Sequence, residues 1–260
     1  MRRKNDRLFT SAFELRLGLR PLILSFILFL IALAGPSTVF AQQTALEVKS
    51  SAVGTSAILG RVDGVIIEAI VQGPSTEDTP LQVACVFEYT EGDIFSSPPA
   101  LPKELNGMLH LDMALNGLIT DLRKSGKFEG HAFETILLTP RSGLIGAKKL
   151  LLIGLGDRTK FNPELMISVG KVAMRESLRL GVSSFAFGSD LKDAGVDSPT
   201  ALVAGNVVKG FFAAYRTENY LKEKDLASHK PLTKVTMLAG PAFFTTAAAG
   251  IKDVIDEIGK

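Results

Sequence analysis

The sequence predicts an α/β fold, a three-layer α/β/α sandwich in which helices cover both faces of a mixed sheet. First, predicted strands alternate with predicted helices from Pro102 onward, the order typical of a sheet covered on both sides. Second, Leu150–Ile153 is wholly apolar, as expected of a strand in the middle of a parallel sheet. Third, 260 residues with 46% apolar content are enough for one large core.

The first 41 residues have the three parts of a secretory signal. Basic side chains occur from Arg2 to Arg20, an apolar stretch runs over 22–34, and Val39 and Ala41 place small residues at the −3 and −1 positions of a cleavage site. The apolar stretch is shorter than the roughly 20 residues that a membrane-spanning helix needs. We therefore expect export to the periplasm or beyond, with cleavage after Ala41. The alternative is an uncleaved membrane anchor.

The positive charge of the chain belongs to this signal. The first 41 residues hold six basic and two acidic residues of the chain's 29 and 27, which leaves 23 basic and 25 acidic residues. A mature domain so near neutrality gives no electrostatic reason to expect nucleic acid as a partner. Contact with a membrane is expected only through the signal segment, if it stays uncleaved.

Residues 42–80 are predicted as N-terminal strands or an extension, and residues 81–260 as the main domain, with 42–260 forming one globular unit. Seven segments rich in Val, Ile, Leu and Phe and bounded by turn residues are predicted as strands. Their bounds are 45–49, 63–71, 81–89, 133–139, 150–153, 182–187 and 234–238. The residues from Ser50 to Gly60 are mixed in character and are not assigned.

Four segments with apolar residues at helical spacing are predicted as helices. Their bounds are 102–124, 162–181, 198–215 and 242–258. Asn162 precedes Pro163 and Glu164, which is the chemistry of a helix start, and Gly126 and Gly181 are typical helix stops.

The turn Gly154-Leu155-Gly156-Asp157 is the candidate ligand-binding site. It follows the apolar strand at its carboxyl end, where open α/β sheets bind ligands, and its N–H groups could hold an anion or a nucleotide. The alternative is a tight strand-to-helix turn that needs residues without a Cβ atom.

The sequence contains no recognisable catalytic or metal-binding set, and no cofactor is expected. His110, His131 and His229 are scattered without the spacing of zinc ligands, and neither a GxSxG elbow nor a phosphate-binding GxxxxGK[ST] loop is present. Cys85, the one cysteine, lies in an apolar run and is interpreted as buried and inert.

Three segments carry a resemblance to a known family: Gly126–Gly130, Leu151–Gly156 with its following helix, and Tyr215-Arg216 with Tyr220–Lys222. In this order the chain resembles the N-terminal domain of the leucyl (cytosol) aminopeptidase family, over most of residues 80–258. The resemblance implies a macro-domain-like fold. It also implies an accessory role, because in that family the two metal ions belong to a C-terminal domain that would begin about where this chain stops.

Tyr215, Arg216, Tyr220 and Lys222 form a polar and aromatic end of a predicted helix and are the candidate partner contacts. Packing at a helix end, with the cationic side chains reaching to solvent, explains them as well. A separate peptidase domain and self-association are the partners considered.

We expect an exported, non-catalytic binding or assembly domain that is not an enzyme by itself. One alternative is the regulatory half of a split metalloaminopeptidase. Another is a macro-like module that binds a nucleotide or an anion at the Gly154 turn.

Overall fold

A seven-stranded mixed sheet organises the residues that the computed structural model describes, 50–92 and 101–259. The strands are β1 (Ser56–Val62), β2 (Val65–Val71), β3 (Gln82–Val86), β4 (Thr135–Leu138), β5 (Leu150–Gly154), β6 (Ser184–Gly188) and β7 (Lys234–Ala239). Their spatial order is β1-β2-β7-β6-β3-β5-β4. The five inner strands pair in parallel, while β1 and β4 pair antiparallel at the two edges.

Five helices cover this sheet on both faces. They are α1 (Gly107–Ala114), α2 (Leu118–Lys124), α3 (Leu165–Arg179), α4 (Thr200–Glu223) and α5 (Phe244–Ile258). One apolar cluster joins α1 and α2 to one face of the sheet, and a larger cluster joins α3, α4 and α5 to the other. The predicted three-layer α/β/α sandwich is therefore confirmed.

A β-hairpin forms one edge of the sheet. β1 and β2 are joined by Asp63 and Gly64, whose φ angles of 46° and 84° are those that a two-residue hairpin turn requires. An Asp-Gly pair between two apolar segments is typical of a hairpin turn and therefore indicates a strand before it. The sequence analysis does not predict this strand, β1. Residues 56–71 thus belong to the main sheet, whereas the predicted strand 45–49 lies outside the described residues.

The single helix predicted over 102–124 is wrong, because the chain forms α1 and α2 with a break at Asn116 and Gly117. Both residues have positive φ, 57° and 79°. The buried carboxylate of Asp112 accepts hydrogen bonds from the N–H of Ile119 at 2.8 Å and from the hydroxyl of Thr120 at 2.6 Å. Asp112 therefore caps α2, and this new helix start competes with continuation of α1.

The remaining helix boundaries follow the predictions except at the end of α4. The side chain of Asn162 accepts a hydrogen bond from the N–H of Leu165, as its role at a helix start predicts. α4 continues to Glu223, eight residues past the predicted end, and an ion pair of 3.4 Å between Arg175 of α3 and Glu218 supports the added turns.

Glycines let the helices on the larger core approach closely. A Cβ atom on Gly210 of α4 would lie 2.0 Å from the carbonyl oxygen of Ile167 in α3, and one on Gly250 of α5 would lie 2.2 Å from the carbonyl oxygen of Ala201 in α4. Neither position has room for a larger residue. Among the residues that the structure describes, no helix has the length and apolar character needed to cross a bilayer.

Candidate functional site

A cavity of about 340 Å³ lies at the carboxyl ends of β2, β7 and β6. Its apolar lining comes from these strands and from α4 and α5. The apolar lining residues include Val71, Phe187, Met237, Val203, Val207 and Ile251. This volume is in the range of small-molecule pockets in proteins, which are mostly apolar with a few placed polar groups.

The position of the cavity follows from the connections of the sheet. The chain leaves β3 towards α1 and α2 on one face, and it leaves the neighbouring strand β6 towards α4 on the other face. Loops that diverge in this way open a crevice at the carboxyl edge, which is where open α/β sheets bind ligands. The loop after β6 and the start of α1 both line the cavity.

Two acidic residues, Asp190 and Asp193, are among the polar residues of the wall. An Oδ atom of Asp190 accepts a hydrogen bond of 3.1 Å from the N–H of Cys85, and Asp193 accepts one of 3.2 Å from the N–H of Met108. Asp190 has a φ of 56°, which Asp tolerates better than most residues. The two side chains therefore tie the loop after β6 to β3 and to α1.

Burial changes the acidity of this pair. Desolvation raises the pKa of Asp193 to about 6, and desolvation together with the charge of Asp193 raises the pKa of Asp190 well above its usual range. Arg123 lines a separate space of about 10 Å³, which both Asp residues also line, and it donates a hydrogen bond to the carbonyl of Phe87.

Among the described lining residues, the cation Lys192 already has a partner. The ammonium group of Lys192 lies 2.9 Å from a carboxylate oxygen of Asp197 and 5.9 Å from the centre of the Phe243 ring. The mouth also includes exposed apolar side chains, of which Val53 is 73% and Leu105 is 50% exposed.

The predicted ligand turn is built into the fold by its own backbone. The N–H groups of Gly154, Leu155 and Gly156 donate to the carbonyls of Glu134, Val86 and Gly130, at 2.8 to 2.9 Å. The carboxylate of Asp157 accepts from the N–H of Thr159 at 2.9 Å. A Cβ atom on Gly154 would lie 2.0 Å from the carbonyl oxygen of His131.

These contacts support the interpretation as a tight turn. Three of its amide groups are unavailable to an anion, so ligand binding at 154–157 stays a prediction that the hydrogen bonding does not favour.

Of the four predicted partner residues, Tyr215 is buried and the other three are exposed. Tyr215 is only 5% exposed and packs between Phe212 and His229. Arg216 forms a 2.7 Å ion pair with Asp63 in the hairpin turn, and Lys222 donates to the carbonyl of His229.

Tyr220 is 58% exposed, with the ammonium of Lys224 5.6 Å from its ring centre. Partner contact through Tyr220 stays a prediction, while Tyr215 is occupied by core packing.

Cys85 is buried, and desolvation raises the pKa of its thiol, as an inert role predicts. His131 lies between Glu88 at 2.7 Å and Glu129 at 2.6 Å, and these carboxylates raise its pKa, chiefly through the hydrogen bond to Glu88. Within 50–92 and 101–259, no group of three or more His, Cys, Asp or Glu side chains is arranged to hold a metal ion.

Part of this chain is similar to a known protein family. Residues 99–224 match the model of the N-terminal domain of the cytosol aminopeptidase family. This region is related to that domain.

Two curated proteins that are similar to this chain illustrate the match. A protein named "Probable cytosol aminopeptidase" from Roseiflexus castenholzii is 29% identical over 133 residues, which is 51% of this chain and 27% of the relative. Another of that name from Burkholderia orbicola is 30% identical over 151 residues, 56% of this chain and 29% of the relative. The chain thus spans less than a third of the length of these relatives, and the match is to the N-terminal domain alone.

Solved structures similar to the chain include a mutant of tomato leucine aminopeptidase, at 19% identity and a TM-score of 0.49, covering 74% of this chain and 36% of that one. They also include a macrodomain from Oceanobacillus iheyensis with ADP, at 16% identity and a TM-score of 0.47, covering 78% of this chain and 98% of that one.

Sequence reasoning missed Asp190 and Asp193 as cavity residues. A signal was present, because Ser189-Asp190 directly follows a buried strand and so lies at the carboxyl edge of the sheet. Nothing in the sequence indicated that the loop would carry both carboxyl groups against β3 and α1.

Proposed function

We propose that this chain is a non-catalytic, exported binding domain that holds a small molecule in the cavity at the carboxyl edge of its sheet. The observation that carries the proposal is the cavity of about 340 Å³, with an apolar lining and two desolvated carboxyl groups on its wall. A deep apolar pocket with a few convergent polar groups and perturbed pKa values is the usual form of a ligand site.

The exposed apolar mouth supports the same proposal. Val53 and Leu105 are large apolar side chains at the rim of an apolar cavity, and covering them on binding would add to affinity. The relation to an aminopeptidase N-terminal domain supports an accessory role, because that match covers less than a third of the relatives.

The test is to reduce the volume of the cavity by replacing a small lining residue with a larger one. Ala204 of α4 lines the cavity, whereas Ala213 is exposed on the same helix. A screen of small apolar molecules by ligand-observed NMR is expected to give binders for the wild type and for Ala213→Met, and weakened binding for Ala204→Met. Ala247→Met, with exposed Ala249→Met as its control, repeats the comparison on α5 if the first variant unfolds.

Equal binding by the cavity-filling variants and their controls would show that ligands bind elsewhere and would overturn the proposal. Thermal unfolding without ligand shows which variants are folded and can be compared.

The partial match to peptidases makes a regulatory half of a split metalloaminopeptidase the second candidate. The mature chain alone, supplied with zinc or manganese, is expected not to hydrolyse a chromogenic leucine amide. Metal-dependent turnover by the purified chain would contradict the non-catalytic role. Turnover that appears only when a separately encoded peptidase domain is added would favour the second candidate.

A further inference from the structure

We propose that the ligand of this cavity is a small apolar molecule with one cationic group, such as an alkyl or cycloalkyl amine, whose charge lies beside Asp193 and Asp190. This inference rests on the proposed function, since it names the chemistry that the same cavity would accept.

The charged groups of the lining favour a cation. The described lining includes the acidic residues Glu104, Asp190 and Asp193, whereas the ammonium of Lys192 is held 2.9 Å from Asp197. A phosphate or carboxylate ligand would bring a further negative charge to this wall, where Lys192 is already paired with Asp197. An amine would instead gain a favourable Coulomb interaction in a partly desolvated site.

The amino end of α1 does not change this balance. A helix start usually attracts anions through its free N–H groups. Here the carboxylate of Asp193 already accepts the N–H of Met108, and the side chain of Asn106 accepts the N–H of Leu109. The carboxylate of Asp193 therefore takes the place of an anionic ligand at the start of α1.

Two other helices begin near the cavity and act in the opposite direction. Thr200 at the start of α4 and Phe243 before α5 are part of the lining, and each helix start carries roughly half a positive charge. With a pKa of about 6, Asp193 is mostly ionised near neutral pH, and its full negative charge is larger than the partial charge of either helix start. The balance remains in favour of a cation.

The raised pKa values of Asp190 and Asp193 also favour a cationic ligand. The pKa of Asp190 is raised partly by the charge of Asp193, so the two carboxyl groups repel when both are ionised. A bound cation relieves that repulsion, whereas a bound anion increases it. Arg123 lines the smaller space together with this pair and is not among the described residues that line the main cavity.

The apolar lining determines which chemical groups the rest of the ligand can carry. Phe187, Met237 and Ile251 offer a surface without hydrogen-bonding groups on their side chains, which suits a saturated ring or a short alkyl chain. A ligand with many polar groups would lose hydration there without replacement bonds.

The experiment uses three molecules of one shape and three charges: cyclohexylmethylamine, cyclohexylmethanol and cyclohexanecarboxylate. Titration calorimetry and ligand-observed NMR near neutral pH are expected to show the amine binding at least about tenfold more tightly than the alcohol, and the carboxylate more weakly than both. Asp193→Asn should remove most of the difference between amine and alcohol. Asp253→Asn, an exposed change of the same kind on α5, should leave that difference intact.

The outcomes separate the two proposals. If the alcohol binds as tightly as the amine, the cavity is a ligand site and the cationic inference is wrong. If the carboxylate or ADP binds more tightly than the amine, the cavity is an anion site and the inference is again wrong. If none of the three binds to the folded wild type, the proposed function itself fails.

Discussion

Asp193 accepts a hydrogen bond of 3.2 Å from the backbone N–H of Met108, and it thereby joins the loop after β6 to the first turn of α1. The backbone carbonyl of Asp193 also accepts a hydrogen bond of 3.0 Å from the side chain of Asn106. One residue thus fixes the relative positions of two chain segments that leave the sheet towards opposite faces. The wall of the cavity is built by that connection.

The first prediction concerns the pH dependence of stability. The pKa of Asp193 is raised to about 6 in the folded protein, so the folded state holds a proton that the unfolded state releases near pH 4. Stability therefore falls as the pH rises through this window, by at most about 3 kcal/mol for this group. The raised pKa of Asp190 acts with the same sign.

Asp193→Asn removes this titration, while its amide oxygen can still accept from Met108. We expect the variant to gain stability relative to the wild type between pH 4 and pH 8, measured by urea unfolding at each pH. Asp253→Asn is the control and should show no such gain. A wild type that becomes more stable relative to Asp193→Asn over this range would contradict the prediction.

The second prediction concerns the contact between α3 and α4. Replacing a helical glycine by alanine usually adds stability, by roughly 1 kcal/mol. At Gly210 the new methyl group would lie 2.0 Å from the carbonyl oxygen of Ile167 and 3.0 Å from Gly170. We expect Gly210→Ala to lower the free energy of unfolding by about 1–3 kcal/mol through overpacking.

Gly73→Ala is the control for this variant, because a Cβ atom there meets no atom within 4 Å. Chemical denaturation measures both. A stabilised Gly210→Ala would mean that the two helices are free to separate without loss.

The third prediction concerns the capping of α2. Asp112 is fully buried and its carboxylate accepts from two N–H groups and the hydroxyl of Thr120. Asp112→Ala leaves those donors without their acceptor, so we expect a loss of about 2–3 kcal/mol in the free energy of unfolding. Asp121→Ala on the exposed side of α2 should change it by less than about 1 kcal/mol. Equal losses in the two variants would argue against the capping role.

The fourth prediction concerns export. A protein expressed with its first 41 residues in a Gram-negative host is expected in the periplasmic fraction, with an intact mass that corresponds to a chain beginning at Gln42. Changing Ala41 to a bulky residue should block processing, whereas Gln43→Ala should not. An unprocessed chain that remains with the cytoplasmic fraction would contradict the proposed export.

The sequence was sufficient to predict most of the sheet and its coverage by helices, because those features depend on apolar periodicity. Leu150–Gly154 is buried at every position, as its wholly apolar composition indicated. The break between α1 and α2 was not predictable in this way. It depends on the buried carboxylate of Asp112 reaching Ile119, seven residues later, while the apolar spacing continues across the break.

The ligand turn predicted from the sequence and the proposed cavity both lie at the carboxyl edge of the sheet, but at the ends of different strands. The turn after β5 has the composition of a ligand loop, yet its amides are used by Glu134, Val86 and Gly130, which are distant in sequence. The cavity forms instead beside β6 and β7, where helices from the same face converge. These long-range contacts determine which strand ends border the cavity. A local sequence pattern does not predict them.

The central claim is that the cavity beside Asp193 is a ligand site, and an amide NMR titration of the folded mature chain with cyclohexylmethylamine tests it most directly. The account predicts saturable shifts confined to the residues around the cavity, in the segments 104–110, 187–193 and 238–243. Saturable shifts centred on Gly154–Asp157, or no saturable shifts at all, would contradict it.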